Sequence, residues 1–254
     1  MSIKTAIVNG VATIEIARPE KKNALTREMY SAMADALIEA NTDKTVRAVL
    51  IQGQPTVFTS GNDIEDFMSS PPRDEDAPVF QFMRALLGCE KPVIAAVNGA
   101  AIGIGTTMLL HCDFVYVADD SRLAMPFVGL GLVPEFGSSL IVPTLMGHAK
   151  AAEKLLLGDP FTGADAVECG IANGVLAAGE VVSYARRVAE RFNALAPSAV
   201  RESKRLMRRH SAAQVLETIK VEAELFGARL RSPEAMEAFQ AFFQKRQPDF
   251  TKFE

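Results

Sequence analysis

Two alternating apolar runs open the chain, Ile3–Val8 and Val11–Ala17, around Asn9-Gly10. That two-residue link predicts a tight hairpin, because both positions tolerate positive φ. Arg18-Pro19 ends the second strand. From Thr26 the apolar positions recur at helical spacing, with Met29, Met33, Ala36, Leu37 and Ala40 on one face. Val46–Gln52 reads as a short buried strand, and Phe58–Ile64 as a small-residue loop opening another helical segment. Pro71–Pro78, proline-rich and acidic, reads as a mobile surface loop. A helix follows, carrying Val79, Phe82, Met83, Leu86 and Leu87 and ending near Gly88. Val93–Val97 is a fully apolar strand. Gly99–Gly105 turns the chain into a helix over about Thr106–His111, and Phe114–Val117 is the next strand. Strands separated by helices predict parallel pairing through right-handed crossovers.

From Gly147 onward the pattern is helical. Ala149–Leu157 closes on Gly158, a short turn lies between Thr162 and Gly170, and Val181–Leu195 stops at Pro197. Ser211 and Gln214 form the pattern of a capping box for a helix reaching about Leu230. Ser232-Pro233 starts the last helix, whose Met236, Phe239 and Phe243 mark an apolar seam. The expectation is an α/β core over residues 1–195 and an all-helical region over 196–254. Those helices need a surface to cover, on the core or on a neighbouring subunit.

Met125–Leu140 interrupts this periodicity with three glycines and a single charge, Glu135, between Pro134 and Phe136. It reads as a loop passing through packed surroundings. Among Phe, Val, Leu and Pro a carboxylate loses hydration, which raises its pKa toward that of a useful base. The other local reading puts Glu135 at a loop tip, or capping a helix that starts near Gly137. Ser138 and Ser139 read as caps of that helix.

Composition narrows the function classes. With 48% apolar residues the chain can bury a sizeable core, yet no apolar run approaches the ~20 residues that span a bilayer. The N-terminus lacks a signal-peptide pattern and the C-terminal KFE is not a peroxisomal address, so a cytoplasmic location is expected. A net charge of −4 with dispersed cations argues against nucleic acid, and Lys204–Arg209 reads as a solvated helix face. Cys89, Cys112 and Cys169 are scattered and read as reduced thiols. His111, Cys112 and Asp113 are sequence neighbours that point in different directions, so no metal is expected there. Gly99, Gly103 and Gly105 do not match a dinucleotide fingerprint, and neither a phosphate-binding P-loop nor a GxSxG serine is present. Such glycine loops before helices can instead aim backbone N–H groups at an anion.

Five segments in register, RPEKKNAL (Arg18–Leu25), FTSGNDI (Phe58–Ile64), KPVIAAVNGAAIGIG (Lys91–Gly105), CDFVYVADD (Cys112–Asp120) and SPEAMEAFQAFFQKRQPDF (Ser232–Phe250), resemble the crotonase, or enoyl-CoA hydratase/isomerase, superfamily. The resemblance runs over essentially the whole chain. It implies an α/β fold with a ββα spiral core and a C-terminal helical trimerisation region, giving a homotrimer or a dimer of trimers. It also implies an acyl-CoA thioester substrate, with no cofactor beyond the coenzyme A that the substrate carries. By position, the backbone N–H groups of Asn62 and Ile104 would form the oxyanion hole. Lys22, Ala24, Ser60, Gly61, Asp63, Ile64, Gly103, Phe127 and Phe136 would contact coenzyme A or the acyl group.

Departures from the family pattern bear on the reaction. Hydratases of the superfamily carry two glutamates at the positions held here by Thr107 and Phe127. Glu135 instead lies nine residues after Pro126, an arrangement similar to the peroxisomal-type Δ3,Δ2-enoyl-CoA isomerases. The resemblance therefore implies a double-bond shift from C3 to C2, with Glu135 as the single base and Phe127, Val128, Leu132 and Phe136 as its apolar wall. Hydratase-like chemistry, isomerisation of an aromatic-derived CoA thioester, and acyl-CoA binding without turnover are the alternatives.

Overall fold

The computed structural model describes residues 2–72 and 76–253. β1 (Ile3–Val8) and β2 (Val11–Ile16) pair antiparallel across Asn9 (φ 50°) and Gly10 (φ 73°), the left-handed pair expected of the tight hairpin. α1 (Arg27–Thr42) is capped by Thr26, whose hydroxyl accepts from the Met29 N–H. There follow β3 (Ala48–Gln52), β4 (Val57–Thr59), α2 (Ile64–Ser69) and α3 (Pro78–Gly88). The next units are β5 (Val93–Val97), β6 (Ala100–Ile102) and α4 (Ile104–Thr107), then β7 (Phe114–Ala118), β8 (Arg122–Ala124), α5 (Ser138–Met146) and α6 (His148–Ala152). β9 (Phe161–Thr162), α7 (Gly163–Glu168) and β10 (Gly174–Leu176) close the sheets. α8 (Val181–Glu190), α9 (Pro197–Arg208), α10 (Ala212–Arg229) and α11 (Pro233–Phe243) complete the chain.

The strands divide between two sheets, one ordered β1-β2-β3-β5-β7-β10 and the other β4-β6-β8-β9. From β2 to β10 the larger sheet is parallel, as the alternation of strands and helices requires. Each of β3, β5 and β7 is followed by a strand in the smaller sheet and then a helix, so the chain advances as a ββα spiral. β5 is buried on both faces. Val93, Ala95 and Val97 join the main core with Phe82 and Leu86 of α3, while Ile94 and Ala96 meet Val181, Ala185 and Ala189 of α8. A strand covered on both sides reads as an unbroken apolar run, not an alternating one.

Several expectations change. β4, β6 and β8 have three residues each, too short for alternation to show; β4 and β6 fall largely in stretches read as loop or turn, and β8 in a stretch assigned no element. Thr162–Gly170 is not a mere turn, because Thr162 and Asp165 cap α7 reciprocally. Ser211 and Gln214 form no capping box, since Ser211 is already helical in φ and ψ and its hydroxyl donates to the Arg208 carbonyl. The basic run is not wholly solvated: Lys204 is buried, with its ammonium 2.6 Å from Asp113 Oδ2, and Arg208 reaches Oδ1 of the same carboxylate. Of the last helix's seam, Phe239 is buried while Met236 and Phe243 stand largely exposed. The loop expected at Pro71–Pro78 includes 73–75, which lie outside the described residues. Among the described residues no helix is long and apolar enough to cross a membrane.

Candidate active site

Two loops meet edge to edge between the sheets. The first, Ser60–Asp63 after β4, runs beside Lys22–Leu25 and is bonded to it by Ser60 N–H to Lys22 O (3.1 Å), Leu25 N–H to Gly61 O (2.8 Å) and Asp63 N–H to Leu25 O (2.9 Å). Asn23 locks this pairing. Its buried side-chain amide donates to the carbonyls of Ile16, Val57 and Phe58, and its oxygen accepts from the Arg18 N–H. Arg18 also holds Asp63 at 2.7 Å, while Asp63 caps α2 by accepting from the Asp66 N–H. Burial would raise the Asp63 carboxyl, but the bonds from Arg18 and the Asp66 amide leave it below its ordinary value.

The second loop turns at Gly103 (φ 58°) into α4, with the Gly103 N–H held by the Ala124 carbonyl at 2.9 Å. Glycine is required where the loops touch. A Cβ on Gly61 would sit 3.0 Å from Ile102 O, and one on Gly105 would sit 2.5 Å from Thr59 Cγ2. Two N–H groups emerge beside this contact, those of Asn62 and of Ile104, the first residue of α4. Among the described residues neither finds an acceptor. Thr106 ties β6 to α4 through its hydroxyl and Ala101 O, whereas the buried Thr107 hydroxyl has no partner among the described residues.

Glu135 arrives from the other side. It is 7% exposed, and its Oε1 makes no hydrogen bond among the described residues. The carboxyl lines a chamber of about 20 Å³, room for a single water, walled by Phe67, Phe80, Met83, Phe136, Ile219 and Phe226. Phe67, Pro72 and Val79 also line an adjoining cleft of about 470 Å³, whose other walls include Leu25, Tyr30 and Asp66. Burial, and then the like charge of Glu222, raise the Glu135 pKa to about 8.

The wall around Glu135 differs from the expected one. Phe136 lines the chamber, but Phe127 and Leu132 are buried in the core and Val128 is exposed. Phe127 packs edge-on to Phe226 at 6.5 Å, and neither cavity includes it. The apolar surface comes from α2, α3 and α10, helices distant in sequence that local reading could not bring together. Ser138 and Ser139 do not cap α5. Glu222 of α10 does so, accepting from the N–H groups of Gly137 (2.5 Å) and Ser139 (2.9 Å). Lys22, Ala24, Ser60, Gly61, Asp63 and Ile64 build the loop pair beside the cleft but do not line it, whereas Leu25, Asp66 and Phe67 next to them do. Sequence reasoning missed Tyr30, Asn23 and Glu222. The signals available were a tyrosine within the α1 apolar stripe and an acid amid the apolar positions of α10. His111, Cys112 and Asp113 bond separately to Phe136 O, Met108 O and Lys204, and among the described residues no acid, His or Cys cluster suits a metal.

The sequence profile described as enoyl-CoA hydratase/isomerase matches residues 6–253. The chain belongs to the enoyl-CoA hydratase/isomerase family. OdaA of Pseudomonas aeruginosa, a solved structure, is 56% identical and superposes with a TM-score of 0.93 over 95% of this chain and 98% of that one. A probable enoyl-CoA hydratase of Bacillus subtilis (strain 168) is 30% identical over 98% of each chain. Enoyl-CoA delta isomerase 2 of Rattus norvegicus is 33% identical over 93% of this chain and 62% of its own length. The two-sheet spiral is thus the crotonase fold, and the chain is an enzyme of a family acting on acyl-CoA thioesters. Its relatives carry hydratase and isomerase names alike.

Proposed function

We propose that this family member is a Δ3,Δ2-enoyl-CoA isomerase. The observation that carries the reading is the unpartnered, desolvated carboxyl of Glu135, beside a chamber that shares Phe67, Pro72 and Val79 with the cleft. In the proposed reaction Glu135 takes a proton from C2 of a 3-enoyl-CoA. Electrons move into the thioester carbonyl, and the dienolate oxygen is held by the Asn62 and Ile104 N–H groups. The protonated Glu135 then returns the proton at C4, leaving the double bond between C2 and C3. Each such donor contributes about 10²–10³ in rate. The reaction balances with one base, and no cofactor beyond the substrate's coenzyme A is needed.

Water addition needs a group to activate and orient the water, and the hydratase glutamate positions hold Thr107 and Phe127, both buried. The exposed apolar residues Val221 and Leu225 of α10, with Met236, Phe242 and Phe243 of α11, support a homotrimer or dimer of trimers built on the C-terminal helices, and a cytoplasmic setting fits the reduced cysteines. The test is a paired assay with 3-hexenoyl-CoA and crotonyl-CoA. Conversion of the first without hydration of the second is expected, with Glu135→Gln abolishing it. Wild-type turnover by that variant rejects the reading, and tight CoA-ester binding without turnover points to a binding protein.

A further inference from the structure

Glu135 opens a four-residue turn closed by the Ser138 N–H on its own carbonyl at 3.1 Å. Both central residues are left-handed, Phe136 at φ 58° and Gly137 at φ 73°. Glycine takes that conformation freely, but a β-carbon-bearing aromatic residue pays roughly 1–2 kcal/mol in steric crowding. The turn is therefore strained at the residue next to the acid, and something outside it must hold it.

Two side chains from distant elements grip the single peptide group between these residues. The His111 imidazole, in the turn after α4, lies 2.7 Å from the Phe136 carbonyl oxygen through Nε2. A carbonyl only accepts, so the ring carries its proton on that nitrogen. The same ring stacks on Phe136 at 3.9 Å between centroids. At the other end of the peptide, the Gly137 N–H donates to Glu222 Oε2, whose second oxygen takes the Ser139 N–H. Arg208 fixes the His111 main chain in turn, through the His111 carbonyl at 2.8 Å. Burial keeps the His111 ring neutral, with its pKa down at about 4, so this donor is unchanged across the working pH range.

We propose that His111 and Glu222 are positioning residues for Glu135: by holding both ends of the Phe136–Gly137 peptide, they keep the strained turn in place and the carboxyl directed into the chamber. The inference rests on the reading of Glu135 as the base. Glu222 has a second effect through its charge, which opposes ionisation of Glu135. The titratable side chains near Glu135 are Tyr30 on α1, Glu222 on α10 and His111 behind Phe136. α2 and α3 present only Phe67, Val79, Phe80 and Met83 to the chamber.

Three variants test the clamp on 3-hexenoyl-CoA. His111→Phe keeps a stacking ring and removes the donor, His111→Gln restores a donor, and Glu222→Gln keeps an acceptor and removes the charge. A misdirected base loses on the order of 10²-fold in rate. His111→Phe should therefore lower kcat by about that factor with KM within threefold, and His111→Gln should recover at least tenfold of it. Glu222→Gln should move the inflection of the kcat/KM profile to lower pH. Wild-type kcat in folded His111→Phe overturns the proposal. If His111→Phe does not fold, amide hydrogen exchange in Glu222→Gln decides alone: wild-type exchange rates at both Gly137 and Ser139, whose N–H groups Glu222 accepts, overturn the proposal. Should wild-type protein prove inert on 3-enoyl-CoA, the isomerase reading fails separately. The clamp is then read from amide hydrogen exchange at Gly137 and Ser138, which folded His111→Phe must accelerate.

Discussion

The Tyr30 hydroxyl donates to Asn62 Oδ1 at 2.5 Å, fastening α1 to the Ser60–Asp63 loop. Burial, with the charges of Glu135 and Asp66 adding to it, holds the phenol well above its ordinary pKa, so it remains a donor throughout the accessible pH range. Tyr30→Phe deletes this one bond while leaving the ring against Phe82. The expected result is a stability loss of about 1 kcal/mol by urea unfolding, and roughly tenfold lower kcat from a loosened Asn62 amide. Unchanged kcat would show that the Asn62 loop is set by Asn23 and Arg18 alone.

The elevated Glu135 pKa sets the direction of the pH–rate profile. At neutral pH most free enzyme holds the carboxyl protonated, the form unable to abstract a proton. kcat/KM for a 3-enoyl-CoA should therefore climb about tenfold per pH unit on the acid side and level off above pH 8. A profile already flat by pH 6 would mean that substrate meets another base.

The same carboxyl should make stability fall with rising pH. Its folded pKa of about 8 exceeds the ordinary 4.5, so the fold binds its proton more tightly than the unfolded chain does. This contribution is complete below the ordinary value and is lost as pH rises through 8. Glu135→Gln, which never ionises, should match wild type near pH 5 and exceed it by a few kcal/mol at pH 9. Parallel melting curves at the two pH values measure it. A protein stabilised by losing a buried acid is the expected signature if Glu135 is kept for the proposed chemistry.

What the sequence disclosed follows from the range of the interactions involved. The hairpin at Asn9-Gly10, the helix starting near Thr26 and the continuous β5 run are local patterns, and the structure reproduces them. Glu135 stood out because one acid among apolar neighbours is itself a local anomaly. Its surroundings did not, because Phe67, Phe80, Ile219 and Phe226 belong to three helices whose approach is a tertiary event. Lys204 misled for the same reason. A lysine in a basic run looks solvated until Asp113, 91 residues away, is seen beneath it. Ser138 and Ser139 had the right composition for capping, but a carboxylate from α10 supplied both acceptors first.

Contact between the two amide-bearing loops can be tested by adding one methyl group. Gly105 lies in α4 directly against Thr59, where a Cβ would stand 2.5 Å from Thr59 Cγ2 and 3.2 Å from its carbonyl oxygen. Thr59 has no room to yield. It is fully buried, its hydroxyl donates to Asn23 O at 2.7 Å, and the same oxygen accepts the Gly61 N–H at 3.1 Å. Gly105→Ala should therefore push α4 away from the Ser60–Asp63 loop and part the Asn62 and Ile104 amides. The helix propensity of alanine favours the substitution by only about 1 kcal/mol, while overpacking at a rigid site costs about 1–3 kcal/mol. A lower melting temperature is expected, with a fall in kcat beyond tenfold, because in the proposed reaction both donors must reach one oxygen. Gly88→Ala, at a helical glycine whose added Cβ meets nothing within 4 Å, is the matched control and should keep or slightly raise the melting temperature with kcat unchanged. Equal behaviour of the two variants would mean that the loops are not in the contact on which the paired amides depend.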